Sequence, residues 1–275
     1  MRRLLSIIIP ASNEEGYIGP CLTALLASDA VVAEVIVVAN GCRDRTAEVA
    51  RGFAGQMAAR GWGYQVLDLA QGSKPGALNA GDAAATGAMR AYVDADIIVT
   101  PALLAQLVAA LAPDAPRYAG ATPHVPRARS AITRAYARFW QTLPFAQSVA
   151  PGFGLFAVNA AGRARWGQFP AIISDDTFVR LQFAPDERVQ VVARYDWPMI
   201  EGFSALTRVR RRQDAGMAEI AAAYPQILAR EGKARMGAAG LLARALRDPV
   251  GFAVYAAVSV AVRMQRGGAG FTRGR

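Results

Sequence analysis

The sequence has few residues of the kinds that build disulfide frameworks or zinc sites. Its 275 residues include two cysteines and one histidine. Cys21 and Cys42 lack CxxC spacing, so we expect neither a disulfide framework nor a zinc site. So low a cysteine content fits a reducing compartment, and we expect the protein to be cytoplasmic.

Long apolar runs are also missing. The apolar stretch from Leu4 to Ile9 meets Pro10 before a signal-peptide core could form, so it predicts a first strand. The later segment from Pro249 to Val262 has 14 residues, whereas a membrane-spanning helix needs about 20. It predicts a buried or interfacial helix. The hydrophobic content of 53% is rich in alanine, as in GC-rich bacterial proteins, and indicates a sizeable globular core.

The net charge of +10 is unevenly distributed. Residues 205–275 contain 13 Lys and Arg but only 4 Asp and Glu, so this region holds most of the charge. Such a region could bind nucleic acid, an anionic membrane or a phosphorylated substrate. No zinc-finger, helix-turn-helix or aromatic ribonucleoprotein motif is present, so nucleic acid is not expected. The sequence leaves two roles open: docking on the inner face of the cell membrane, or packing on the preceding domain.

Short β-branched segments alternate with helical patterns over the first 120 residues. This alternation is typical of an α/β fold with a mostly parallel sheet and crossover helices. Ser12 and Glu15 have the spacing of a capping box at the start of the first helix. The predicted strands are 4–9, 35–38, 64–69, 90–93 and 118–122.

An acidic motif directly follows the fourth predicted strand. Asp94 and Asp96 therefore lie at the carboxyl end of a parallel strand, where ligands of open α/β sheets bind. Their carboxylates suit Mg²⁺ or Mn²⁺, since hard cations commonly take one or two protein carboxylates together with substrate phosphates. Two acids in an exposed loop are the alternative interpretation.

Lys74 lies in a glycine-containing loop that leads into a predicted helix. A lysine beside helix N-terminal amides can contact a phosphate or a base. The segment is not a Walker A motif, because the order of its glycines and lysine differs. A solvated loop lysine is the alternative.

Four motifs occur in an order and spacing that resembles the family 2 glycosyltransferases. They are Ile8-Ile9-Pro10 with Asn13-Glu14-Glu15, Val37-Val38-Ala39-Asn40-Gly41-Cys42 with Asp44 and Thr46, Lys74 with Ala77-Leu78-Asn79-Ala80-Gly81, and Asp94-Ala95-Asp96. The resemblance runs from about Leu4 to Arg212. It implies a GT-A fold, which is a Rossmann-like mixed sheet flanked by helices, and a nucleotide-sugar donor.

The resemblance also implies roles for individual residues. Asp96 would be the principal ligand of a Mg²⁺ or Mn²⁺ cofactor, with Asp94 beside it near the ribose. Asp176 would take the acceptor proton, with Asp175 as its competitor for this role. If this segment opens a helix, Ser174 would be its cap and both acids would favour the N-terminus. The substrates would be contacted by Pro10, Ala11, Asn13, Glu14, Asn40, Lys74, Asp94, Gly152, Phe153, Arg208, Arg211 and Arg212.

The sequence departs from the family pattern at two places. Ala39 and Asn40 replace an aspartate pair that commonly addresses the base, which leaves the choice of nucleotide open. Gln213 stands where related processive enzymes have tryptophan, which argues against a polymerase of the cellulose-synthase type.

We predict a catalytic domain over residues 1–212, with a nucleotide-binding half to residue 122 and an acceptor half from 123. A basic helical extension follows over residues 213–275. The predicted enzyme inverts the anomeric carbon while transferring a sugar to a hydroxyl of a lipid-linked acceptor or a cell-envelope polysaccharide or glycolipid precursor. One alternative is a sugar nucleotidyltransferase, although its glycine- and lysine-rich signature is missing. The other is a membrane-docking protein that keeps a degenerate, non-catalytic GT-A fold.

Overall fold

An eight-stranded mixed sheet forms the centre of the protein. The structure is a computed structural model that describes residues 4–232, 234 and 236–264. The strands are β1 (Leu5–Ala11), β2 (Ala33–Asn40), β3 (Gly63–Leu69), β4 (Met89–Val93), β5 (Ile98–Val99), β6 (Tyr118–His124), β7 (Leu155–Asn159) and β8 (Arg188–Asp196). Their order across the sheet is β3-β2-β1-β4-β7-β6-β8-β5.

The first four strands form a parallel half of the sheet. β1 lies between β2 and β4, and β2 also pairs with β3, all in parallel. β7 then runs antiparallel to β4 and β6, β6 is parallel to β8, and β5 is antiparallel to β8. The prediction of a mostly parallel α/β sheet is confirmed. The sequence pattern does not predict β5, β7 or β8: β5 has two residues, β7 has five residues that directly follow a glycine-containing segment, and the buried residues of β8 are irregularly spaced.

Helices cover the sheet and extend beyond its last strand. They are α1 (Glu15–Leu26), α2 (Thr46–Arg51), α3 (Ala54–Ala59), α4 (Lys74–Ala84), α5 (Leu103–Ala110), α6 (Ala131–Trp140), α7 (Ala160–Arg163), α8 (Asp175–Arg180), α9 (Phe203–Ala223), α10 (Ala238–Arg247) and α11 (Pro249–Met264). Short 3₁₀ turns lie at Pro185–Glu187 and Pro225–Arg230.

Both faces of β1 are buried, as expected for a central parallel strand. Because successive side chains point to opposite faces, Ile7 joins the core cluster that contains Leu22 of α1, and Ile8 joins the cluster that contains Leu78 of α4. α4 approaches the sheet closely at Gly81, where an added Cβ would lie 2.4 Å from Cγ2 of Ile8. The lack of a side chain at Gly81 therefore allows α4 to pack directly against β1.

The N-terminus of α1 is not capped as the sequence predicts. The helix begins at Glu15, and Ser12 Oγ is buried without a hydrogen-bond partner among the described residues. The backbone N–H of Glu14 instead donates to Thr46 Oγ1 at 2.8 Å, and that of Glu15 to Asp44 Oδ2 at 3.1 Å. The predicted capping box is wrong, because the loop after β2 supplies the acceptors.

The C-terminal helices pack on the body of the protein. α6, α9 and α11 share a third core cluster that includes Tyr136, Leu206 and Val258. α9 runs without a break across residue 212, where the sequence places the end of the catalytic domain, and Ile220 beyond it is fully buried in the second core cluster. The division into two units therefore stays a prediction. In the described part of the chain, no helix combines the length and apolar character needed to cross a bilayer.

Candidate active site

Three neighbouring parallel strands end at one edge of the sheet. β1 ends at Ala11, β2 at Asn40, and β4 at Val93, immediately before Asp94. Since the carboxyl ends of parallel strands meet at one edge, this edge brings the first, second and fourth sequence motifs together. The backbone N–H of Asp94 donates to the carbonyl of Gly154 at 2.8 Å, which fixes the start of the acidic motif.

Asn40 connects two loops at this edge. Its side-chain amide donates to the Ala11 carbonyl at 2.9 Å, and its Oδ1 accepts from the Ser73 backbone N–H at 3.0 Å. The side chain is 3% exposed, so its hydrogen-bonding capacity is used largely inside the protein. Asn40 also lines a cavity at this edge. Its two hydrogen bonds hold the loop before α4 in position.

Lys74 is the first residue of α4. Ser73 caps this helix by accepting from the Gly76 backbone N–H at 3.1 Å. Asn40 holds the Ser73 backbone, and Gly81 sets the helix close to β1, so the position of Lys74 is determined from both ends of the helix. The lysine therefore projects from a fixed helix start rather than from a solvated loop.

The acidic pair Asp175 and Asp176 opens α8. Ser174 occupies the N-cap position but makes no side-chain capping hydrogen bond. The segment is held by α9: Glu219 Oε2 accepts from the Ile173 backbone N–H at 2.8 Å, and a Cβ on Gly216 would lie within 2.2 Å of Ser174 Oγ. A helix that crosses the predicted domain boundary thus places the acidic pair.

Lys74 bridges the acids from two parts of the chain. Its Nζ lies 2.9 Å from Asp94 Oδ1 and 3.4 Å from Asp175 Oδ1. Burial alone would lower the pKa of Lys74, but the nearby carboxylates of Asp175, Asp94 and Asp176 raise its pKa above the ordinary value. Lys74 is therefore a permanent cation at neutral pH.

Burial disfavours the charged form of a carboxylate as well, and it therefore raises the pKa of both members of the acidic pair. It raises the pKa of Asp175 to about 6, against the lowering effect of Lys74. Burial also raises the pKa of Asp176, again partly offset by Lys74. A carboxylate whose pKa approaches neutrality is a suitable proton acceptor, because the best general bases have a pKa close to the operating pH.

A cavity of about 340 Å³ contains most of the predicted site residues. Those that line it are Pro10, Glu14, Asn40, Lys74, Asp94, Asp96, Phe153, Asp175, Asp176 and Arg212. Ala11, Asn13, Gly152, Arg208 and Arg211 are not among the residues that line it. Asn13 has a positive φ of 59° and its Oδ1 accepts from the Arg43 backbone N–H at 2.8 Å, so it shapes the loop after β1.

Gly152 belongs to a smaller space beside the cavity. Its φ of +81° favours glycine, and a Cβ there would lie 2.3 Å from the Tyr118 hydroxyl. The next residue, Phe153, faces the main cavity, and its carbonyl accepts from the Tyr195 hydroxyl at 2.8 Å. Gly152 thus allows the turn that presents Phe153.

The arginine run on α9 divides into different environments. Arg210 donates to Asp214 at 2.9 Å and to the Tyr255 hydroxyl at 3.0 Å, so it joins α9 to α11. Arg212 lines the cavity, and its Nε is buried without a hydrogen-bond partner within the described ranges. Arg212 is therefore the member of the run best placed to meet an anionic ligand.

The carboxylates of Asp94 and Asp96 fit a divalent cation by their chemistry. Both residues line the cavity, and carboxylate oxygens are the donors that Mg²⁺ and Mn²⁺ prefer. Over residues 4–232, 234 and 236–264, no group of three or more His, Cys, Asp or Glu is arranged to hold a metal ion. The protein would supply two carboxylates, and substrate oxygens and water would complete the coordination, as is usual for Mg²⁺.

The apolar side of the cavity is not predicted by the sequence patterns. Trp140, Trp197, Met199, Ile200 and Val209 line it. From sequence alone these residues are more readily assigned to the core, because large apolar side chains are usually buried. Met199 and Ile200 belong to a loop of irregular structure, so no periodic signal marks their position.

Comparisons with known proteins agree with the motifs at the sheet edge. The family model for glycosyl transferase family 2 matches residues 6–164. An uncharacterized glycosyltransferase from Bacillus subtilis (strain 168), EpsJ, is 35% identical over 104 residues. That match covers 38% of this chain and 29% of the relative, so the chain matches less than a third of that protein's length.

Solved structures share the fold over most of the chain. The mannosyltransferase PcManGT from Pyrobaculum calidifontis, in complex with GDP-Man and Mn²⁺, has a TM-score of 0.62 and 20% identity, and the match covers 97% of this chain and 79% of that one. Glucosyl-3-phosphoglycerate synthase from Mycobacterium tuberculosis, with Mn²⁺ and UDP-Glc, has a TM-score of 0.53 and 21% identity, with 79% and 78% coverage. At these identities the likeness establishes the GT-A fold alone.

Proposed function

The chain belongs to glycosyl transferase family 2, and from this membership we propose that it transfers a sugar from a nucleotide-sugar donor to an acceptor hydroxyl with inversion. One observation carries the proposal: Lys74, Asp94, Asp96 and the pair Asp175 and Asp176 line one cavity at the carboxyl edge of the sheet. This arrangement supplies a cation and four carboxylates at the place where open α/β sheets bind nucleotides.

The proposed reaction is a single displacement. The acceptor oxygen forms a bond to the anomeric carbon, while the bond from that carbon to the diphosphate oxygen breaks. Asp176 takes the hydroxyl proton, and the nucleoside diphosphate leaves with the bonding electrons. Because attack and departure occur on opposite sides of one carbon, its configuration inverts.

Cationic groups in the cavity would stabilise the negative charge of the leaving diphosphate. Lys74 and Arg212 are the cationic side chains that line this cavity beside the acids, together with Arg210, whose charge is engaged by Asp214. A Mg²⁺ or Mn²⁺ ion held by Asp96 and Asp94 would neutralise charge on the leaving diphosphate. Fixed cations that face developing negative charge lower the barrier, because the site need not reorganise during the reaction.

Calorimetric binding of UDP and GDP, with and without MnCl₂, tests the proposal. These probes correspond to the donors bound by the solved relatives, UDP-Glc and GDP-Man. We expect metal-dependent binding of one of them, and loss of most of that binding in Asp96→Ala. Asp29→Ala is the matched control, because Asp29 is an exposed acid that does not line the cavity.

Two outcomes would reject the proposal. Metal-independent binding that survives Asp96→Ala would remove the role of the acidic motif. Binding of nucleoside triphosphates and sugar phosphates, with no binding of the diphosphates, would favour a sugar nucleotidyltransferase instead.

The α10–α11 surface, defined here by Leu242, Leu246 and Val250, supports peripheral attachment to an anionic membrane. These side chains are 60%, 75% and 62% exposed, and α10 buries none of its residues. Arg247 lies exposed beside them. Apolar side chains that enter the interface, together with basic residues worth about 1 kcal/mol each near anionic lipid, are the features of interfacial helices.

Co-sedimentation with vesicles of anionic or zwitterionic lipid tests the attachment. We expect the protein to pellet with anionic vesicles and the Leu242→Ser, Leu246→Ser double variant to remain in the supernatant. Val192→Ser is the control, because Val192 is 89% exposed on β8 and lies outside the α10–α11 surface. Equal recovery of the protein and the double variant in the supernatant would reject membrane attachment. A truncation is less suitable, since Ile220 and Ile227 belong to the core.

A further inference from the structure

The cavity has a second side whose chemistry differs from that of the acidic motif. Its wall is built from the end of α6, the loop after β8 and the first turns of α9. Trp140 and Leu206 are buried in the third core cluster, while Trp197, Met199 and Ile200 pack partly buried against it. All of these residues also line the cavity.

Three aromatic rings form a continuous shelf on this side. The rings of Trp140 and Trp197 stack at a centroid distance of 5.5 Å, and Phe153 stacks on Trp197 at 5.4 Å. Trp140 and Phe153 also lie 5.3 Å apart. Phe153 directly precedes Gly154, whose carbonyl accepts from the Asp94 backbone N–H at 2.8 Å. The shelf therefore begins beside the acidic motif.

Aliphatic side chains continue the shelf away from the acids. The cavity-lining residues between 198 and 209 are Pro198, Met199, Ile200, Leu206 and Val209. None of these five residues has a side chain that donates a hydrogen bond, and the thioether sulfur of Met199 is only a weak acceptor. A sugar ring that stacks on tryptophan also needs polar partners for its hydroxyls, because buried polar groups without hydrogen bonds are costly. An alkyl chain needs none.

Two polar residues of the cavity that lie beside this wall, Arg210 and Tyr136, are engaged within the scaffold. Arg210 donates to Asp214 and to the Tyr255 hydroxyl, and it also hydrogen-bonds the hydroxyl of Tyr136. Its charge is therefore held by α6, α9 and α11 rather than offered to a ligand. The wall is therefore apolar although Arg210 directly follows Val209 in the sequence.

We propose that this apolar wall binds the aliphatic part of an amphiphilic acceptor, whose hydroxyl then lies at Asp175 and Asp176. The proposal rests on the proposed glycosyl transfer and names the acceptor class, a hydroxyl-bearing head group joined to an alkyl or isoprenoid chain. Among the acceptors that the sequence leaves open, the wall favours a lipid-linked one over a free polysaccharide precursor. The chain leaves the acids along the shelf of Phe153, Trp197 and Trp140.

Binding of alkyl glucosides of increasing chain length tests the inference. The probes are methyl, hexyl and octyl β-D-glucoside, each below its critical micelle concentration, and the signal is intrinsic tryptophan fluorescence. Each buried CH₂ contributes about 0.8 kcal/mol, or about a fourfold change in affinity. We therefore expect octyl glucoside to bind about tenfold or more tightly than hexyl glucoside, with methyl glucoside the weakest.

Met199→Gln is the informative variant, because it keeps the length of the side chain and adds a polar amide. We expect it to weaken octyl glucoside binding about threefold to tenfold while leaving methyl glucoside binding unchanged, since a polar group in an apolar wall costs free energy when the chain covers it. Met264→Gln is the matched control, since Met264 is 82% exposed on α11. An equal loss in both variants would mean that the chain binds exposed surface, and would overturn the inference.

Nucleotide binding on the same protein separates this inference from the proposed function. Metal-dependent UDP or GDP binding without any chain-length dependence would reject the apolar acceptor site alone. Chain-length dependence without metal-dependent nucleotide binding would reject the glycosyltransferase proposal alone. Retained nucleotide binding by Met199→Gln also shows that the variant is folded.

Discussion

Lys74 Nζ lies 2.9 Å from Asp94 Oδ1. The first residue of α4 thus places its charge against the acid that follows β4. This pair joins two motifs that are separated along the chain, and the same ammonium group reaches Asp175 at 3.4 Å. The charge of Lys74 lowers the pKa of both Asp175 and Asp176 against the effect of their burial.

Lys74→Met should move the acid limb of the pH profile to higher pH. Burial raises the pKa of Asp175 to about 6, while Lys74 lowers it. Asp176, the proposed base, must be ionised, and burial raises its pKa while Lys74 lowers it, so kcat/KM should fall as the pH drops through that raised pKa in the unaltered enzyme. A nearby opposite charge commonly changes a pKa by about one to three units, so removing Lys74 should raise the midpoint by about one unit or more.

The pH dependence of kcat/KM measures this shift. Arg51→Met is the control, because Arg51 pairs with Asp68 at 2.8 Å on the exposed surface and should leave the midpoint in place. An unchanged midpoint in Lys74→Met would show that the lysine does not control the base.

Asp176→Asn should lower kcat by a factor on the order of 10² to 10⁴, the usual contribution of a positioned base. Donor affinity should be retained. Asp176 is the more open member of the pair, since Asp175 is 5% exposed and faces Lys74. Turnover and UDP or GDP affinity are measured for both asparagine variants. If Asp175→Asn abolishes turnover while Asp176→Asn stays near the unaltered rate, the two roles must be exchanged.

Arg212→Gln should weaken nucleoside diphosphate binding by about tenfold or more, since hydrogen bonds to charged groups contribute about 1.5 to 3 kcal/mol. Arg212 lines the cavity and its Nε has no hydrogen-bond partner among the described residues. Calorimetry with the preferred diphosphate provides the measurement. Arg127→Gln, at an exposed position outside the cavity, serves as the charge-matched control. Equal affinities for the two variants would remove Arg212 from the binding site.

Gly81→Ala should destabilise the protein, whereas Gly55→Ala should stabilise it. A Cβ at Gly81 would lie 2.4 Å from Ile8 Cγ2, but one at Gly55 meets nothing within 4 Å. Overpacking of a core costs about 1 to 3 kcal/mol, while alanine in place of glycine in a helix gains up to about 1 kcal/mol. Urea denaturation measures both free energies of unfolding. Changes of the same sign would contradict the close packing of α4 on β1.

Several elements could be predicted because their signals are local. The buried strands β1, β2 and β4 are marked by short apolar runs, and parallel strands place their following residues at one edge. The position of Asp94 and Asp96 follows from these two facts. The family was identifiable for the same reason, because its motifs lie at successive strand ends.

Other features depend on contacts between distant segments. The start of α1 is capped by Asp44 and Thr46 rather than by its own Ser12, because the loop after β2 packs there. Residues beyond 212 hold the acidic pair: Glu219 accepts from the Ile173 N–H at 2.8 Å. The pattern of apolar residues within one segment does not indicate which distant residue will contact that segment.

The sequence by itself therefore determined the parallel half of the sheet, the edge that carries the acidic motif, and the family. Tertiary structure decided which arginine faces the cavity, what holds the acidic pair, and that Trp140, Trp197 and Met199 form an apolar wall. The physical reason is that a sequence pattern reports which side of one element is buried. Which distant element covers that side, and whether a cavity remains between them, is set by the packing of the whole chain.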